Sequence, residues 1–233
     1  MKRHQIRMPL QRLTHWISYN VKIYLYFRNP ILCPKKPRVT AAAIFCAIPK
    51  TGSMSVHKAL TEILGSFFHG GRFLYAPDLK TLARAQAYAN KHARNPAVIG
   101  IGHQHALVLV RSGLMSFEEL SQTPVLIIER NDRERFASAM RYGQRGRLLP
   151  VNYNEQRVLR RIAKHGAPNP QSFDTSIRWG VPIHFSPGHL WREGLPSVIG
   201  FSLGQLVDCI NHVLQLAGYN QKLERAPHVN RSE

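Results

Sequence analysis

Apolar and polar positions along this chain fall into blocks whose periods predict strands and helices by turns. From Val39 the run Val-Thr-Ala-Ala-Ala-Ile-Phe-Cys-Ala-Ile has strand length. It meets the polar turn Pro49-Lys-Thr-Gly-Ser-Met-Ser55, after which Val56, Leu60, Ile63, Leu64 and Phe67 recur at helical spacing. Gly70-Gly71 reads as a turn, and Asp78 to His92 as a second helix with Asp78 at its N-cap. Ala97 to Ile101 is a short strand that runs into Gly102-His103-Gln104-His105. Ser116-Phe-Glu-Glu119 fits a capping box opening a short helix to Leu120. Pro124 to Glu129 is an apolar strand, followed by Arg130 and a helix through about Tyr142. A helix is expected over Asn152 to His165, then a region rich in Pro and Gly. Ser197 to Phe201 is the last strand. In the helix from Ser202 to Ala217, Leu203, Leu206, Val207, Ile210, Val213, Leu214 and Ala217 share one face. Ser202 with Gln205 forms a second capping box, and Gly218 supplies the stop.

Strands alternating with helices predict an α/β fold of three layers, a central mostly parallel sheet flanked by helices on both faces. Ligands of such sheets sit beyond the carboxyl ends of the strands. The three most polar junctions, Pro49–Ser55, Gly102–His105 and Arg130–Ser138, all follow strands and are expected to converge. Before the first strand, residues 1–38 are basic and aromatic. Leu10, Leu13, Ile17, Val21 and Tyr24 lie three or four apart, which suits a helix packed on the domain or lying on a membrane surface. Asn29-Pro30 and Pro34-Lys-Lys-Pro37 then break the chain. The division is therefore an extension over 1–38 and one domain over 39–233.

Charge narrows the partners. Lys and Arg number 32 against 13 Asp and Glu, a formal +19. That excess favours polyanions such as nucleotides, nucleic acids, anionic glycans or a membrane surface, without choosing among them. The cysteines are three, Cys33, Cys46 and Cys209, with no C-x-x-C spacing. So sparse a set argues against a disulfide scaffold and for a reducing compartment. No run of 18 or more apolar residues reads as a transmembrane helix.

The turn after the first strand has the makings of an anion site. Backbone N–H groups at a helix N-terminus point at one spot, Lys50 adds a positive charge, and Ser53 and Ser55 add hydroxyls. It is not a Walker A loop, which needs Gly-Lys-Ser/Thr, because Lys50 precedes Gly52. The order Pro-Lys-Thr-Gly-Ser-x-Ser resembles instead the 5′-phosphosulfate loop of sulfotransferases that use 3′-phosphoadenosine 5′-phosphosulfate. Ile128-Glu-Arg130-Asn-Asp-Arg-Glu-Arg-Phe-Ala-Ser138 resembles that family's 3′-phosphate segment, a strand ending in Arg with Ser eight residues later. Gly102-His103 resembles the Gly-His of carbohydrate sulfotransferases of the heparan 2-O type, where the His is the base. The C-terminal His228-Val-Asn230-Arg-Ser232 resembles the segment that closes over the nucleotide. The likeness covers roughly residues 39–142 and 197–233. Asp132 departs from it, standing where the family usually has Pro.

The resemblance implies a P-loop-like core moving a sulfuryl group from 3′-phosphoadenosine 5′-phosphosulfate to a hydroxyl, on a glycan, with no metal. Catalytic roles fall to Lys50 and His103. Donor binding falls to Lys50, Thr51, Gly52, Ser53, Met54, Ser55, Arg130, Ser138 and Asn230. Glu62, Asp78, His57 and His105 remain alternative bases, and Arg130 has an alternative use as an ion-pair partner of Glu134. Two other functions fit the same residues: a P-loop-type small-molecule kinase, or a non-catalytic basic protein binding nucleic acid or an anionic polymer. A cytoplasmic protein with peripheral membrane contact through its first 38 residues is the expected setting; no specific nucleic-acid partner is.

Overall fold

The structure is a computed structural model that describes residues 39–70, 96–111, 114–145, 149, 153–171 and 183–227. The helices expected within 1–38 and over 78–92, together with Cys33, Asp78 and Asn230, lie outside the described residues. Five strands form one sheet: β1 (Ala43–Ala47), β2 (Phe68–Gly70), β3 (Val98–Gly102), β4 (Val125–Glu129) and β5 (Val198–Ser202). Their order is β2-β3-β1-β4-β5, and every pairing is parallel. β1 is thus central, with Ala47 beside Gly102 of β3 and Cys46 beside Ile127 of β4.

β1 and β3 are buried along their whole length, as a near-continuous apolar run in a parallel sheet requires. Alternate residues feed opposite cores. Ala43, Phe45 and Ala47 pack with Val56, Leu60 and Leu64 of α1 (Ser53–Leu64), and with Ile210, Val213 and Leu214 of the C-terminal helix (Leu206–Leu216). Ile44, Cys46 and Ile48 face the other way. They meet α2 (Val108–Arg111), α3 (Phe117–Gln122) and Trp191, which is fully buried. Helices on both faces give the three-layer α/β fold. A third cluster joins α4 (Asp132–Arg145) to α5 (Glu155–His165) through Ala139, Met140, Val158 and Phe185. The Leu206–Leu216 helix is α6.

Local chemistry sets the helix ends. Glu119 Oε2 accepts from Ser116 N at 2.5 Å and Ser116 Oγ from Glu119 N at 3.1 Å, closing the expected capping box. Gln205 Oε1 accepts from Ser202 N at 3.0 Å, but one 3₁₀ turn, Leu203–Gln205, precedes α6. α5 starts at Glu155 rather than Asn152, because the Asn154 side chain accepts from Arg157 N at 3.0 Å. The turn expected at Gly70-Gly71 is corrected at its first residue: Gly70 belongs to edge strand β2, paired with Gly100. Three residues are too few to show a strand's two-residue period. Among the described residues no helix is long and apolar enough to cross a membrane.

Candidate active site at the carboxyl ends of the central strands

The loop after β1 is held by its own hydroxyls. Thr51 Oγ1 and Ser53 Oγ both donate to the Ile48 carbonyl, at 2.8 and 3.1 Å. Thr51, Ser53 and Ser55 are buried, while the Met54 side chain is exposed. The Ser53 proton is therefore turned inward, and the Ser55 N–H donates to the Gly52 carbonyl at 2.9 Å; what the loop offers an anion is the remaining backbone N–H at the start of α1. Two residues here have left-handed backbones, Lys50 at φ 66° and Gly52 at φ 81°. Gly52 is required twice over, since a Cβ there would also stand 2.8 Å from Leu203 Cδ1. Lys50 has no such exemption, and its conformation costs about 1–2 kcal/mol. The fold bears that strain at the lysine that the sequence marks for chemistry.

Lys50 is half-buried, with its Nζ 4.3 Å from the centre of the Tyr142 ring on α4. Burial, then the nearby Arg130 and Arg141 charges, pull its ammonium below the ordinary lysine pKa. Arg130, at the end of β4, donates through Nη1 to the Lys50 carbonyl at 3.5 Å and through Nε to Glu134 Oε2 at 3.1 Å. The ion pair weighed from sequence is thus present, between a half-buried Arg130 and an exposed Glu134. Arg130 also borders an open groove of about 520 Å³ at the ends of β4 and β5, with Asn131, Glu134, Gly204 and Gln205 on its walls. Glu134, Ser138 and Tyr142 recur every fourth residue on α4 and so share one stripe. Half-buried Ser138 lies on that stripe between the partner of Arg130 and the partner of Lys50.

His103 closes the site on the other side of β1. Its N–H donates to the Ala47 carbonyl at 3.1 Å, and it too has a left-handed backbone, φ 50°. Burial first, then coupling to His184 and the Lys50 charge, holds its pKa well below the histidine range, so the imidazole is neutral at pH 7 and keeps one unprotonated ring nitrogen. The three polar junctions therefore meet, as the topology required.

The other candidate bases among the described residues are engaged elsewhere. Glu62 lies 3.8 Å from Lys58 on an exposed turn of α1. His57 sets its ring 5.1 Å from Phe68, within 3.5 Å of Thr61 Oγ1. His105 is buried and its Nδ1 accepts from Leu107 N at 3.3 Å, turning back on its own loop. Among the described residues no group of three His, Cys, Asp or Glu could hold a metal ion.

Three participants were not given roles from sequence: Tyr142, His184 and Arg135. His184 reaches the site from a 3₁₀ turn, Ile183–Phe185, in the stretch with the weakest pattern. Its ring is stacked on Tyr142 at 5.2 Å and meets His103 edge-on at 5.1 Å. Nothing in its local sequence announces this. Arg135 did leave a trace, since Asp132 and Arg135 lie three apart on a helix, a spacing at which opposite charges meet; they do so at 2.9 Å. Asp132, the departure from the family pattern, also accepts from Gly188 N at 3.0 Å, a bond no proline could provide.

The assembled groups can hold an anion against backbone N–H, place a cation where charge develops, and take a proton on a neutral imidazole. No protein-family model, curated protein or solved structure matches the chain, so the site is read from its residues and their geometry alone.

Proposed function

We propose that this chain is a sulfotransferase, moving a sulfuryl group from 3′-phosphoadenosine 5′-phosphosulfate to the hydroxyl of a carbohydrate. The observation that carries this reading is Lys50. It sits in a strained backbone at the end of β1, with Arg130 bonded to its carbonyl and His103 bonded to the strand end beside it. In the proposed reaction the N–H groups at the start of α1 bind the 5′-phosphosulfate. Lys50 neutralises the bridging oxygen as the S–O bond breaks. Arg130 and Ser138 hold the 3′-phosphate; Arg130 Nη2, which makes no hydrogen bond among the described residues, is the donor left for it. His103 takes the hydroxyl proton as the acceptor oxygen bonds to sulfur, and the bisphosphate nucleotide leaves.

The exposed face of α5 is basic. Arg157, Arg160, Arg161 and Lys164 are exposed on α5, while Val158 and Ile162 pack into the cluster containing Phe185. That face supports an anionic glycan, and it equally favours the second reading, a non-catalytic binder of anionic polymers, in which Arg130 serves only its pair with Glu134. The cytoplasm is part of the proposal. Cys46 and Cys209 are buried and unbridged, their thiols pushed up to about 12 by burial.

A transfer assay over hydroxyl acceptors separates the readings. We expect sulfuryl transfer by the wild type and a loss of roughly 100-fold or more in kcat for Lys50→Ala. Polymer binding with no transfer to any acceptor, and none of the donor consumed, would leave the binder reading in its place.

A further inference from the structure

Four side chains run in series through the site. Lys50 Nζ stands over Tyr142, Tyr142 is stacked on His184 with 28° between the rings, and His184 meets His103 at 79°. Lys50 and His103 come from the ends of neighbouring strands. His184 comes from a turn of only three residues, and with 3% of its surface exposed it is out of an acceptor's reach. Its ring meets the site through His103 and Tyr142.

A turn that short needs an external hold, and α4 supplies it. Arg135 is as deeply buried as His184. Its Nη1 donates to the His184 carbonyl at 3.5 Å, and its Nη2 donates to the Ser186 carbonyl and to Asp132 Oδ1. The same Asp132 oxygen accepts from Gly188 N, and a Cβ on residue 188 would stand only 3.2 Å from it. One guanidinium and one carboxylate thus pin residues 184 to 188 at both ends. On the next residue Phe185 meets Phe136 of α4, ring centres 5.1 Å apart. A charge pair whose carboxylate is largely exposed is weak as a source of stability. Its bonds here go to the carbonyls and N–H of one loop, so what it supplies is a fixed geometry.

We propose that His184 is a positioning residue for His103, held by the Arg135–Asp132 clamp, and that together they fix the angle at which His103 meets an acceptor hydroxyl. This deepens the sulfotransferase reading and rests on His103 as its base. Among the described residues Lys50, His103, Arg135 and Tyr142 face His184. Burial first, then the Lys50 and Arg135 charges, drives its own pKa down to about 3, so at neutral pH it acts as an uncharged ring that keeps water from one side of His103.

The test uses the full chain with carbon-13-labelled histidine, in wild type, His184→Ala, Asp132→Asn and Arg135→Lys. The His103 resonance is followed against pH, nucleotide affinity is measured with 3′-phosphoadenosine 5′-phosphate, and kcat and donor KM are measured where transfer occurs. In the variants we expect the His103 midpoint to rise by about one unit or more toward 6.5. We also expect kcat to fall roughly 10- to 100-fold with donor KM within about twofold. A His103 midpoint unchanged in His184→Ala overturns the proposal, and one raised in His184→Ala but not in the clamp variants overturns the clamp. Should His184→Ala not fold, Asp132→Asn decides, since that side chain is 58% exposed and its loss leaves the core intact. If even the wild type fails to bind the nucleotide, the donor reading fails, while the His103 titration still decides whether His184 positions it.

Discussion

Two single residues, Gly52 in the loop after β1 and His184 in the turn Ile183–Phe185, carry much of what is unusual at the site. Gly52 permits both a left-handed turn and the approach of Leu203 from the segment before α6. Gly52→Ala should lower stability by about 1–2 kcal/mol in urea denaturation and weaken nucleotide binding, since the N–H groups of the loop move with it. His184 gives the chain a pH dependence of known sign. Its folded pKa of about 3 lies below the ordinary value near 6.5. Between those values the unfolded chain binds the extra proton. Stability is therefore whole above about pH 6.5 and falls as pH drops toward 3. Between pH 7 and pH 5 this one group should remove about 2 kcal/mol, and in His184→Phe denaturation curves the fall should be smaller by about that amount. Equal falls in both proteins would mean that His184 is solvated and protonates freely.

At the scale of elements, α5 and α4 divide the work. α4 is an internal tool: Arg135 holds a loop, Tyr142 faces Lys50, and Glu134 holds Arg130. α5 turns Val158 and Ile162 inward and its cations outward. Replacing Arg160 and Arg161 by Ala should lower the salt concentration that releases the protein from a sulfated polysaccharide, and leave bisphosphate binding within about twofold. Unchanged release would mean that another basic surface makes the contact. The elements also differ in how far sequence exposed them. α1 and α6 were legible because each repeats its period over enough residues, and β4 because it is an unbroken apolar run between polar breaks. β2 and α2 hold three and four residues, too few for any period.

Over the whole molecule, the parallel sheet and its two covering layers follow from apolar runs of strand length alternating with blocks of period three to four. The convergence of Lys50, His103 and Arg130 follows from topology, since all three stand just beyond carboxyl ends of adjacent strands. His184 was not legible, because its role is set by a bond from Arg135, 49 residues earlier in the chain, and not by its neighbours. The Ser53 hydroxyl shows the converse. Its residue type pointed to the ligand, and the packed loop turns its proton to Ile48. Composition fixed neither; only tertiary contact decides such cases.

The central claim is that Lys50 and Arg130 frame one site for a nucleotide carrying both 5′ and 3′ phosphates. Calorimetric titration of 3′-phosphoadenosine 5′-phosphate into wild type and Arg130→Ala tests it most directly, with ATP and magnesium as the competing ligand. The account predicts saturable wild-type binding of the bisphosphate, no comparable binding of ATP, and affinity weakened roughly 10- to 100-fold in Arg130→Ala. Equal affinity in the two proteins, or binding of ATP in place of the bisphosphate, would contradict it.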